Sequence, residues 1–114
     1  MPYCEITTTA KVAPEMEMTL NHAIADVIAT IPGKTENWVM THIADEAKMA
    51  FAGTNEAPAA MVTLKIFGHP DEALYDRLTE AFCSKIAPML GVSADRMYVV
   101  YEPVDHWGWN GMNF

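Results

Sequence analysis

Basic residues are scarce in this chain. Its 114 residues include seven Lys and Arg against fifteen Asp and Glu, which gives a formal net charge of −8 at pH 7. A surface this acidic repels phosphate backbones, so we expect no nucleic-acid partner. Cysteine is scarcer still, because Cys4 and Cys83 are the only two, and two are too few for a disulfide framework.

Long hydrophobic runs are also missing. No apolar stretch approaches the roughly 20 residues that a membrane helix needs, so we expect no membrane insertion. No basic segment followed by an apolar stretch opens the chain, which favours a cytoplasmic protein, with any secretion by a non-classical route. The four histidines lack the spacing of metal ligands, so we expect neither a metal nor another cofactor.

What the chain does contain is one pattern, strand–helix–strand, that occurs twice. The apolar stripes and the β-branched runs predict strands at 2–9, 38–43, 59–67 and 97–101, and an aromatic tail at 107–114. They also predict a helix at 14–31 and a second helix that opens at Pro70, carries its apolar stripe to Met89 and is ended by Pro88 and Gly91. Both predicted helices open with a proline followed by an acid, at Pro14 and Pro70. The match between the halves indicates a duplication.

Two β-α-β units predict an α+β fold in one domain, residues 1–114, with pseudo-repeats of roughly 1–57 and 58–114. The four strands form one mixed sheet, and both helices lie on one of its faces. The other face carries apolar side chains, including Met61 and Phe67 of the third strand. Such a face needs cover, which predicts an oligomer.

The opening Met1-Pro2 is a candidate for chemistry. Methionine before a small residue is normally removed, which would leave Pro2 with a secondary amine fixed at the start of a strand. If that amine is neutral at cellular pH, it can act as a general base. The alternative is that the dipeptide has no catalytic meaning, since many proteins begin in this way.

Five short segments carry a resemblance to a known family. In chain order they are Met1-Pro2, Gly33-Lys34, MAFAGTNE at 49–56, LGVSADRMY at 90–98, and WGWNG to Phe114 at 107–114. Together they resemble the macrophage migration inhibitory factor (MIF) group of the tautomerase superfamily. The resemblance implies a homotrimer with active sites at the subunit boundaries. It also implies an isomerase, a keto–enol tautomerase of phenylpyruvate- or dopachrome-like substrates that uses Pro2 as the catalytic base.

The resemblance further implies which polar groups hold a small aromatic keto acid. Lys34 would lower the pKa of the Pro2 amine and bind the substrate carboxylate, although a solvated lysine after a helix-ending glycine is also common. A backbone N–H near Phe67 would bind the same carboxylate. Lys65 adds a second cation if it faces the site, and is otherwise a solvated strand residue.

Aromatic residues complete the implied site. Tyr98 would come from the neighbouring subunit, while Tyr3, Trp109 and Phe114 would form an apolar pocket. The alternative is that these rings serve only for packing. Val100 stands where many relatives have asparagine, and the linker 68–72 is short, so substrate preference is expected to differ.

Two other functions stay open. One is a secreted, cytokine-like protein that acts on a cell-surface receptor and has weak or vestigial tautomerase activity. The other is decarboxylation or dehalogenation, which usually needs additional carboxylate or arginine partners, and only Arg77 and Arg96 are present. A thiol–disulfide oxidoreductase activity that rests on the Cys-x-x-Cys pair of the vertebrate cytokine is excluded, because residues 58–61 here read Pro-Ala-Ala-Met.

Overall fold

One four-stranded mixed sheet forms the centre of the molecule. The computed structural model describes all residues, 1–114. The strands are β1 (Pro2–Thr8), β2 (Met40–Ala44), β3 (Ala60–Phe67) and β4 (Met97–Val104), in the spatial order β2-β1-β3-β4. The β1–β2 and β3–β4 pairs are parallel, and β1 runs antiparallel to β3. Two parallel β-α-β units thus meet at the sheet centre, which confirms the predicted fold.

The first helix is shorter than predicted. A 3₁₀ turn at Pro14–Met16 leads into α1 (Glu17–Ile28). The apolar stripe continues to Ile31, which is only 4% exposed although it lies beyond the helix. Burial after the last helical turn therefore extended the periodic pattern past the true end.

The second helical segment ends at Gly91, one of the two residues predicted to end it, but it begins two residues after Pro70 and is irregular. It comprises α2 (Glu72–Ala81), a π-helical segment (Phe82–Ile86) and α3 (Ala87–Leu90), and it ends at Gly91 with a positive φ of 69°. Pro88 was predicted to help end it, yet the helix continues past this residue. The N–H of Ala87 reaches back five residues to the carbonyl of Phe82, and this wider turn accommodates a proline that lacks an N–H.

Both helices cover the same sheet face, as predicted. The side chains of even-numbered residues of β1 and β3 point to that face and form the core with the helices. A cluster of 19 buried residues lies there, including Ile6, Leu64, Ile28, Leu78 and Phe82. The opposite face has no cover within the chain, and Met40 and Tyr98 on it are 65% and 62% exposed.

Two chain segments differ from the predicted strands. Trp38 ends a 3₁₀ turn (Glu36–Trp38) and lies outside β2, while β4 extends beyond Tyr101. The aromatic tail forms a hairpin of β5 (Gly108–Trp109) and β6 (Met112–Asn113). Its two turn residues, Asn110 and Gly111, both have positive φ, as a type I′ turn requires. None of the helices has both the length and the apolar character needed to cross a bilayer.

Candidate active site

A cleft of about 410 Å³ opens at the start of β1, and its volume falls in the range of small-molecule sites. Most of its lining residues are hydrophobic, and none carries an acidic side chain; they include Pro2, Tyr3, Trp38, Met40, Lys65 and Trp109. The structure therefore places four of the residues singled out by sequence around one cavity. Nowhere in the chain do three or more His, Cys, Asp or Glu side chains lie together as metal ligands would.

Pro2 is the first residue of β1, and its ring is fully buried. It pairs with Ile66, near the end of β3, so the sheet fixes its position. The amine of Met1 lies beside it, and its pKa is lowered from 8.0 to about 6. Burial is the larger cause, and the nearby positive charge of Lys34 adds to it. A protonated amine is thus disfavoured at this end of β1.

Lys34 reaches this region because of the chain reversal after α1. Gly33 has a positive φ of 79°, and the N–H of Lys34 donates to the carbonyl of Ile31 at 3.1 Å. The Lys34 ammonium group then donates to the carbonyl oxygen of Phe67 at 3.2 Å. On the other side of that residue, the N–H of Phe67 donates to the carbonyl oxygen of Met1 at 3.1 Å. Lys34, Phe67 and the chain start therefore form one polar cluster.

Aromatic rings form the wall of the cleft. The rings of Trp38 and Trp109 meet edge to face with centroids 5.0 Å apart. Phe114 packs against both tryptophans at 6.3 and 6.1 Å, and against Phe67 at 6.0 Å. The N–H of Phe114 donates to the carbonyl of Trp107, which holds the tail in place. The hairpin is thereby fixed over the cleft through aromatic contacts.

Trp38 is a cleft residue that the sequence analysis missed. Its side chain is 38% exposed, although tryptophan is highly buried on average. The alternating pattern of 38–43 indicated a strand, and this hid the short turn that aims the indole at Trp109. The available signal in the sequence was a tryptophan four residues after Lys34, a candidate cleft residue.

Tyr3 and Lys65 extend the cleft onto the uncovered sheet face. The Lys65 ammonium lies 5.9 Å from the centre of the Tyr3 ring and 3.9 Å from a carboxylate oxygen of Glu102. The Tyr3 hydroxyl donates to Glu5 at 3.1 Å, and His42 contacts the same carboxylate oxygen at 3.2 Å. These hydrogen bonds, with His42 first, lower the pKa of Glu5. The Glu5 carboxylate therefore already has two hydrogen-bonding partners, Tyr3 and His42.

Tyr98 lies away from the cleft of its own chain. It pairs with Met61, whereas Pro2 pairs with Ile66, five residues further along β3 and thus about 17 Å away. Its ring packs on Phe51 with centroids 5.0 Å apart and is otherwise exposed. A role for Tyr98 at the cleft of a neighbouring subunit stays a prediction.

Comparison with known proteins places this geometry in a family. The whole chain, residues 1–114, matches the family model for macrophage migration inhibitory factor (MIF). The macrophage migration inhibitory factor of Mus musculus is 29% identical over 89 residues, which is 76% of either chain. The crystal structure of Leishmania major MIF2 has a TM-score of 0.90 at 30% identity, covering 100% of this chain and 97% of that one. A MIF homologue from Prochlorococcus marinus has a TM-score of 0.81 at 30% identity and covers 98% of both chains.

The duplicated β-α-β units, joined in one mixed sheet with Pro2 at the start of β1, define a protein of the tautomerase superfamily. Because the family model matches every residue, the chain belongs to the macrophage migration inhibitory factor family. This confirms the resemblance that five short segments indicated.

Proposed function

We propose that the protein is a keto–enol tautomerase in which the Pro2 amine, released by removal of Met1, is the general base. Its substrates are small aromatic keto acids such as phenylpyruvate, or dopachrome-like compounds. The observation that carries the proposal is the buried Pro2 at an apolar cleft, with Lys34 at the same end of β1. Family membership supports it, since the superfamily is one of isomerases.

The chemistry needs one base and one anion site. The neutral Pro2 nitrogen takes a proton from the carbon next to the substrate carbonyl, so a C–H bond breaks and an N–H bond forms. The same proton then passes to the oxygen of the resulting enolate, which gives the enol and restores the neutral amine. Lys34 and the N–H of Phe67 hold the substrate carboxylate, while Trp38 and Trp109 contact the ring.

We further propose that the active assembly is a homotrimer. Met40, Tyr98 and Val100 lie on the uncovered sheet face and are 65%, 62% and 38% exposed. Contact between subunits would bury these side chains and bring Tyr98 to a neighbour's cleft. Val100 offers no hydrogen bond there, so substrate contact at that position is apolar.

The test combines mass spectrometry of the chain start with tautomerase assays. Pro2→Gly and Pro2→Ala are expected to lower kcat/KM for phenylpyruvate by about 100-fold or more, since general-base catalysis contributes at least that much. Thr7→Ala, on the same strand away from the cleft, is the matched control and should stay near wild type. Sedimentation must show the same assembly for all variants. Undiminished activity of both Pro2 variants would refute the proposal.

A signalling function is the second candidate. The mouse relative is named for an effect on macrophage migration, and the match to it covers 76% of this chain. A secreted protein of this kind would act on a cell-surface receptor without turnover. The Pro2→Gly variant separates the two functions, because a receptor ligand would keep its effect on macrophage migration when tautomerase activity is lost.

A further inference from the structure

We infer that Lys65 makes the cleft selective for keto acids that carry a second carboxylate, on the far side of the ring from the one bound at Lys34 and Phe67. This inference rests on the proposed tautomerase function and names the substrate class within it. An aromatic keto acid with a carboxylate on its ring is the simplest such substrate.

The placement of the two cations along one strand gives the spacing. Lys65 and Phe67 are two residues apart on the same face of β3, so their backbone positions differ by about 7 Å. In the proposed function, the Lys34 ammonium and the N–H of Phe67 form the inner anion site at the start of β1; the Lys34 ammonium already lies at Phe67, and Lys65 lines the cleft itself. A rigid aromatic ring that carries carboxylates on opposite sides can place one near Phe67 and the other near Lys65, since it spans a distance of about this size.

The charge distribution favours an anion at Lys65. The whole chain has a formal charge of −8, yet the cleft has no acidic lining residue. Lys65 lines the cleft and is 46% exposed in the single chain, so its ammonium group faces a ligand bound there. The Tyr3 ring, 5.9 Å from that group, keeps it at the cleft by a cation–π contact.

Two carboxylates compete with a ligand for Lys65. Glu102 lies 3.9 Å away and is 48% exposed, so the pair is solvated and a ligand carboxylate displaces it at small cost. Glu5 is the other, but its carboxylate already accepts from Tyr3 and contacts His42. Glu102 therefore sets how strongly Lys65 attracts a second anion.

The experiment compares phenylpyruvate with 4-carboxyphenylpyruvate, which differ by one carboxylate. We measure the ratio of their kcat/KM values, diacid over monoacid. Lys65→Met is expected to lower this ratio about fivefold, and Glu102→Gln to raise it, since partly exposed charge pairs are worth up to about that factor. Lys48→Met, the same charge change on an exposed residue outside the cleft, should leave the ratio at its wild-type value.

Salt separates a charge effect from a packing effect. The wild-type preference for the diacid should shrink as ionic strength rises, whereas the ratio for Lys65→Met should not fall with salt, because only repulsion by the acidic protein is then screened. Equal ratios for wild type and Lys65→Met would overturn the inference while leaving the tautomerase proposal intact, because the monoacid would still be turned over. Absence of turnover of either substrate would instead refute the proposed function.

Discussion

The N–H of Phe67 donates a 3.1 Å hydrogen bond to the carbonyl oxygen of Met1. The donor proposed for the substrate carboxylate is therefore occupied as long as Met1 is attached, and the Pro2 nitrogen is then an amide without basicity. Removal of Met1 would therefore do two things at once: it would turn the Pro2 nitrogen into a basic amine, and it would free the N–H of Phe67 for the substrate carboxylate.

Protein that retains Met1 is accordingly expected to be at least about 100-fold less active than trimmed protein, because it lacks the general base. Expression with a methionine aminopeptidase inhibitor supplies the retained form, and intact-mass measurement verifies it. Later treatment with aminopeptidase should restore the rate, which controls for damage. Equal rates for the two forms would exclude Pro2 as the base.

Lys34 is expected to contribute to the low pKa of the amine at the start of the chain. In the chain that carries Met1, burial and then Lys34 lower the pKa of the amine to about 6. Lys34→Met should raise this pKa above 6 yet keep it below 8.0, because burial, the larger cause, remains. NMR of the ¹³C-methylated amine measures the shift. Lys11→Met, on an exposed residue, is the control, and an unchanged pKa in Lys34→Met would show that its charge does not act on the amine.

The lowered pKa of the Met1 amine also makes the free energy of unfolding depend on pH. The pKa of the folded state, about 6, is below the reference value of 8.0, so the unfolded state binds more protons between these pH values. The free energy of unfolding should therefore rise with pH from about 6 to 8 through this group, and the rise should be smaller in Lys34→Met. Urea titrations at several pH values test the sign, and a fall over this window would contradict it.

Arg96 is expected to stabilise the segment that precedes β3. Its guanidinium group donates hydrogen bonds of 3.0–3.3 Å to four backbone carbonyls, those of Phe51, Thr54, Ala57 and Pro58. Arg96→Met should lower the free energy of unfolding by about 2–3 kcal/mol, because partly buried carbonyls lose charged donors. Arg77→Met is the matched control, since Arg77 is exposed and forms no such bonds, and a similar loss there would refute the argument.

The fold was largely predictable, because the residues that must be buried recur in the sequence with the spacing of strands and helices. The β-branched runs gave the strands, and the apolar stripe from Leu20 to Ile28 gave α1. The path of the chain around Pro88 was not predictable, since the π-helical segment that accommodates it depends on burial of Phe82 and Ile86 in the core. Local sequence rules stop a helix at proline, and tertiary packing overrode them here.

The candidate site was predictable only in part. A parallel crossover places Lys34 near the strand ends, and the structure has its ammonium at Phe67. Trp38 was not predicted as a cleft residue. Residues 38–43 alternate as a strand does, and the 3₁₀ turn at Glu36–Trp38 leaves no trace in that pattern. The role predicted for Tyr98 requires a contact between chains, and only the family resemblance suggested such a contact.

The contact between Trp38 and Trp109 is expected to hold the hairpin over the cleft. Their edge-to-face geometry, with centroids 5.0 Å apart, predicts a coupling energy of about 0.5–1.5 kcal/mol in a double-mutant cycle. The cycle uses Trp38→Leu and Trp109→Leu, with unfolding free energies from urea titration. Each single variant should also raise KM for phenylpyruvate, because each removes part of the aromatic wall.

Asn55→Ala provides the control for that cycle. Asn55 precedes β3, at the opposite end of the strand from the cleft, so its effect should simply add to that of Trp38→Leu. If the two tryptophan variants also add without coupling, the indoles do not support each other. The hairpin would then be held by Phe114 and its hydrogen bond to Trp107 alone, and loss of Trp38 would leave the position of Trp109 unchanged.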